Sequence, residues 1–161
     1  MPAIASFIRI PKTAIEGLRL AAPPPKRKLF ETARSTYWDY LRQNGEKVAE
    51  YGWSGWVFGP LLEYLKEREQ IDLDHSAYDE LSEFLTKARG VSHSILTDEH
   101  RKAYLERLEA PFSRETLRDY YNEFTATHDG GSGEPMLDGI HCLCQSLKAL
   151  DDQSVVVFII G

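Results

Sequence analysis

The last stretch of the chain, Ser154-Val155-Val156-Val157-Phe158-Ile159-Ile160, restricts the available folds more than any other. Its six consecutive apolar residues, most of them β-branched, read as a strand buried on both faces, because a strand with one wet face alternates apolar with polar residues. Leu150-Asp151-Asp152-Gln153 just before it is turn chemistry, and the β-branched content favours a sheet over a buried helix. Such a strand needs a neighbour on each side. Ala3-Ile4-Ala5-Ser6-Phe7-Ile8-Arg9-Ile10 is the only other extended apolar run of similar length, so the two are expected side by side at the centre of one sheet.

Between these strands the pattern is mostly helical. Pro11 sets a helix start, and Ile15, Leu18 and Ala22 follow at helical spacing until Pro23-Pro24-Pro25, a stiff connector, ends the run. A second helix is expected from Lys26 to Gln43, with Phe30, Ala33, Tyr37 and Leu41 on one face and Asn44-Gly45 as its stop. Lys47 to Phe58 fits neither period. Tyr51, Trp53, Trp56 and Phe58 crowd around Gly52, Ser54, Gly55 and Gly59, which reads as a glycine-broken loop leading into a helix near Pro60. Asp74 or Ser76 is expected to cap the next helix, whose Tyr78, Leu81, Leu85 and Ala88 keep a 3-4-3 spacing up to Gly90.

Val91 to Leu96 reads as a short strand, and Thr97 caps a helix carrying Tyr104, Leu105 and Leu108. Ser113 caps another, in which Leu117, Tyr120, Tyr121 and Phe124 form one buried aromatic face. Thr127 to Gly133 is a loop, and the last helix, Pro135 to Leu150, turns Met136, Ile140, Leu143 and Leu147 inward. The expectation is an α+β fold: one helix-rich domain over residues 1–161, with a small sheet in which the N- and C-terminal strands pair centrally.

Opening Ile4-Ala5-Ser6-Phe7-Ile8-Arg9-Ile10, running straight into the Ile15/Leu18 helix, resembles the start of the YfbM-like family of uncharacterised bacterial proteins. A helix followed by Val155-Val156-Val157-Phe158-Ile159-Ile160-Gly161 is similar to that family's end, and Tyr37-Trp38-Asp39-Tyr40-Leu41 to its Trp-centred helix segment. The family's Leu-Thr-Gly after the Trp segment is absent, and the Tyr51 to Pro60 stretch has no counterpart. The resemblance implies an α+β cytosolic domain and supplies no catalytic residue.

Charge narrows the function classes. Nucleic acid is not expected as a partner of a chain with net charge −6, whose one basic cluster is Lys26-Arg27-Lys28, because phosphate neutralisation draws on a Lys/Arg surplus. No apolar run approaches the roughly 18 residues of a membrane span, so a cytoplasmic protein without membrane contact is expected. Cys142 and Cys144, two apart on a helix, point to different sides and cannot pair with each other, which fits a reducing compartment.

Catalytic and metal signatures do not survive inspection. Gly52-Trp53-Ser54-Gly55 approaches a nucleophile elbow, but that motif needs glycine two residues after the serine and Trp56 stands there. His128, His141, Cys142 and Cys144 are metal-capable, and His141 and Cys144 share a helix face, yet Cys144 adjoins the Ile140/Leu143/Leu147 stripe, where a free cysteine acts as a small hydrophobe. No metal and no cofactor are expected. The Thr127 to Gly133 loop lacks P-loop spacing, and Asp72/Asp74, Asp79/Glu80 and Asp151/Asp152 sit where caps and turns want them.

Two functional readings remain. The first is a non-catalytic interaction domain that docks a basic protein, with an inhibitor or immunity-type role as one form of it. The second is an enzyme or small-ligand protein whose pocket is lined by Tyr51, Trp53 and Trp56 with a histidine near, His93 or His128. Between the indoles a split is expected, with Trp56 buried at the mouth of the Pro60 helix and Trp53 partly exposed. Oligomeric state is not legible in the sequence.

Overall fold

The computed structural model describes residues 2–24 and 36–161. The terminal strand β4 (Ser154–Ile160) lies between β1 (Ala5–Pro11) and β3 (Ser92–Leu96), and β2 (Glu46–Glu50) adds to the far side of β1. All pairings are antiparallel, so the order is β2-β1-β4-β3 and the two terminal strands occupy the centre as expected. With neighbours on both edges and helices on both faces, β4 buries every residue from Ser154 to Ile159, which accounts for its unbroken apolar run.

β2 was not legible as a strand, because only Val48 and Ala49 turn apolar side chains toward the core, between Glu46-Lys47 and Glu50. Its register also shifts: Phe7 opposes Ala49 and Ile8 opposes Lys47, leaving Val48 as an extra residue that hides the period of two.

One sheet face carries Phe7, Val156 and Phe158 under α3 (Phe58–Glu69), α5 (Asp98–Leu108), α6 (Arg114–Thr125) and α7 (Gly133–Lys148). Phe7 and Phe158 stack at 4.6 Å, and Phe58 meets Phe158 edge-on at 4.9 Å. The opposite face carries Ile10, Val155, Val157 and Ile159 under α1 (Ile15–Ala21), α2 (Thr36–Asn44) and α4 (Asp79–Arg89). The part of the expected second helix before Thr36, with Phe30 and Ala33, lies outside the described residues.

Helix ends follow local chemistry with two departures. Ser113 Oγ accepts the Thr116 N–H, and Gly90 ends α4 with φ +70°, both as expected. Thr97 caps α5 in a reciprocal box whose second member is His100 rather than an acid: the Thr97 N–H donates to His100 Nδ1 across 3.1 Å. α4 begins at Asp79, later than a cap at Asp74 or Ser76 would set it, because Ser76 and Asp79 close a turn in which the Ser76 N–H donates to Asp79 Oδ1 across 2.7 Å. On α6, Leu117 and Tyr120 are buried but Phe124 is exposed, its ring stacked on that of Tyr120 at 6.3 Å.

Candidate interaction surface

α7 organises the surface around the sequence-predicted aromatics. It is packed on almost every side, against the sheet, α3, α5 and α6, and leaves to solvent a narrow stripe that includes His141, Gln145 and Lys148, with half-buried Asp138 at its upper end. The chain leaving β2 crosses beside this stripe. Cys142 Sγ donates to the Glu50 carbonyl across 3.3 Å, and the Tyr51 hydroxyl to the Pro135 carbonyl across 2.8 Å. These bonds fix the 50–53 segment on α7.

Trp53 comes next. Its indole Nε1–H donates to Asp138 Oδ2 across 2.8 Å, while the ring remains 47% exposed. His141 Nδ1 stands 3.9 Å from the other carboxylate oxygen, so Trp53, Asp138 and His141 share one corner. Beyond His141 a groove of about 440 Å³ opens between α7 and the α5–α6 turn, walled by Leu108, Pro111, Phe112, Leu137 and Ile140.

Trp56 departs from expectation. It is 69% exposed, not buried, because the helical run starts before Pro60: a 3-10 turn at Gly55–Val57 leads into α3 at Phe58, and Val57, Phe58 and Leu61 take the inward positions. Ser54 caps that turn, its Oγ accepting the Trp56 N–H at 3.4 Å. The Gly55 N–H donates to the Ala3 carbonyl across 2.8 Å, setting the turn against the start of β1, where Ile4 is also exposed. Two indoles and an isoleucine thus project from adjoining backbone.

Tyr51 belongs partly to the core. It is half-buried with its ring 4.8 Å from Phe58, and burial raises its phenol pKa far above the ordinary value. Neither expected histidine joins these rings. His93 is buried on the opposite sheet face, paired in register with Ile159 and bonded to Tyr37. His128 is exposed in the loop before α7, and among the described residues no hydrogen bond links it to Tyr51, Trp53 or Trp56. Asp138 and His141 are the members of the corner that were not put beside Trp53 from the sequence. The available signal was their i, i+3 spacing on α7's wet stripe, but nothing in the sequence sets which loop crosses it.

Chemically the corner can bind but holds no paired nucleophile and base. Burial, with the Asp138 charge as a lesser cause, raises the Cys142 thiol to about 11, the wrong direction for a nucleophile. Ser54 Oγ is engaged in its own turn. No three His, Cys, Asp or Glu side chains converge to hold a metal ion among the described residues, where Cys144 donates instead to the Leu108 carbonyl at 3.2 Å. No helix among those residues is long and apolar enough to cross a membrane. No protein-family model, no curated protein and no solved structure matches the chain.

Proposed function

We propose that the chain is a non-catalytic, cytoplasmic interaction domain whose Trp53/Trp56 surface docks a basic protein partner. The observation that carries this reading is the hydrogen bond from Trp53 to Asp138, which holds a half-exposed indole in one orientation on the surface. Tryptophan dominates binding hot spots, and orienting it beforehand reduces the ordering cost of association. A carboxylate at the base of the ring and a net charge of −6 favour a cationic partner, whose approach they accelerate at low salt. An inhibitor or immunity-type role toward a basic toxin is one form this takes. The enzyme or small-ligand reading draws less support, since Trp53 and Trp56 stand on open surface and His93 faces the other side of the sheet.

Affinity capture from the native host tests the reading, using the wild type beside a Trp53→Ala/Trp56→Ala double variant with an unchanged circular dichroism spectrum. A basic protein retained at low salt, released as salt rises and missed by the variant is the expected result. Capture of nothing at low salt, or equal capture by both, would count against it.

A further inference from the structure

Among the described residues, the helical cover on the sheet face opposite α7 stops short of the β1–β2 edge. α2 ends directly over β1, which the absence of a side chain at Gly45 allows: a Cβ there would lie 2.6 Å from Ile8 Cγ2 and 2.7 Å from the Leu41 carbonyl oxygen. α2 turns Tyr37 and Leu41 into the core, and Trp38, one position round the helix, stays 36% exposed with its ring edge-on to Tyr37 at 5.2 Å. Between this indole and the sheet lies a groove of about 320 Å³, lined on the sheet side by the half-buried Ile8 and Ser6.

Two cations from different elements line the same groove: Arg42 on α2 and Lys47 on β2, the latter opposite Ile8 in register. Each is held by a carboxylate of its own element, Arg42 by Asp39 at 2.8 Å and Lys47 by Glu50 at 2.7 Å. Arg42, Lys47 and Glu50 are largely exposed and Asp39 is half-exposed, and such solvent-screened surface pairs are weak, so an incoming anion can replace either carboxylate. The groove therefore offers an indole, an aliphatic side chain on the sheet side and two exchangeable cations on a chain that is acidic as a whole.

We propose that this groove binds a small aromatic carboxylate, with the ring system between Trp38 and Ile8 and the carboxylate shared by Arg42 and Lys47. The guanidinium fork matches a carboxylate in two-point geometry, and the volume sits at the low end of ligand sites, about 300–1,000 Å³, which suits one fused ring system and not a peptide. The site shares no residue with the Trp53/Trp56 surface, so the two proposals stand or fall separately.

Titration of the ¹⁵N-labelled full chain with naphthalene-2-carboxylate, and in parallel with neutral naphthalene-2-methanol, tests it. Saturable shifts at Ser6, Ile8, Gly45, Lys47 and the Trp38 indole N–H are expected for the carboxylate. The alcohol, and an Arg42→Gln/Lys47→Gln variant with an unchanged melting curve, should each bind at least about tenfold more weakly, the equivalent of about 1.4 kcal/mol. Shifts that never saturate, shifts centred on Trp53 and Trp56, or equal affinity for acid and alcohol would overturn the proposal. Unchanged affinity in the Gln variant would do the same.

Discussion

The Tyr37 hydroxyl lies 2.6 Å from Nε2 of His93, both groups buried between α2 and β3. The direction of that bond follows from the other ring nitrogen. Nδ1 stands 2.8 Å from the Val91 carbonyl oxygen, which can only accept, so Nδ1 carries the proton and Nε2 accepts from Tyr37. Arg89 packs its guanidinium over the Tyr37 ring at 4.9 Å and donates to the Ala22 carbonyl across 3.2 Å. One tyrosine thus ties α2, the end of α4 and β3 together.

This pair makes stability depend on pH in a defined window. Burial, opposed by the Val91 bond and reinforced by the Arg89 charge, lowers the His93 pKa below its ordinary value. The folded state therefore binds fewer protons than the unfolded one, so the stabilisation is complete above the unfolded pKa of about 6.5 and is lost as pH falls from there through the folded value. Asp98 and Asp151 have lowered pKa values and act only below about pH 4, whereas Asp74, raised by burial, works in the opposite sense. The melting temperature should fall more between about pH 7.5 and pH 5 for the wild type than for His93→Gln, which carries no titrating ring. Parallel pH profiles would remove His93 as the cause.

Tyr37→Phe isolates the bond itself. The substitution keeps the ring against Arg89 and leaves a buried Nε2 without its donor, an expected loss of about 1–3 kcal/mol by urea unfolding. A variant as stable as the wild type would mean that water reaches His93 in the folded protein.

Val157 tests the sheet order. It is fully buried on β4 between Ile8 of β1 and Ile95 of β3, so Val157→Asp places a carboxylate with no partner where three strands meet. The expected cost of several kcal/mol is comparable with the roughly 5–15 kcal/mol total stability of a domain, and soluble expression should be lost. A soluble, normally melting variant would contradict the central placement of β4.

What could be read in the chain follows from where the burial lies. β4 was legible because a strand covered on both faces carries its burial in its composition, and Gly90, Thr97 and Ser113 were legible because caps are local. β2 was not, since an edge strand with a bulge and three charged residues shows no period. The misplacement of Trp56 has a local origin: it stands in the 3-10 turn at Gly55–Val57, which gives the inward position to Val57 and leaves Trp56 outside, and that turn has no sequence signature of its own. The Trp53–Asp138 corner spans 85 positions of sequence and depends on α7 packing beside β2, a tertiary fact.

Gly133 gauges how tightly α7 is seated. A Cβ at this position would collide with the Arg114 carbonyl at the start of α6, and a backbone atom cannot swing aside as a side chain can. Gly133→Ala should cost about 1–3 kcal/mol despite the better helix propensity of alanine, read as a lower urea midpoint at constant slope. An unchanged or higher midpoint would show that the two helices separate freely there.

The two exposed indoles make opposite demands on stability and binding. Trp56 contributes little to the core, so Trp56→Ala should change stability by no more than about 0.5 kcal/mol. Trp53 loses one hydrogen bond and a half-buried ring, and Asp138, half-exposed itself, can turn to water when its donor is removed, so Trp53→Ala should cost about 1 kcal/mol. A buried tryptophan behaves differently, losing about 3–5 kcal/mol on truncation to alanine. Thermal melts of the two single variants therefore separate an anchor from a core residue before any partner is in hand. Two small losses leave both rings available for docking, and a loss of the core size for Trp53→Ala would assign that indole to the fold and take the proposed surface's pre-oriented anchor away.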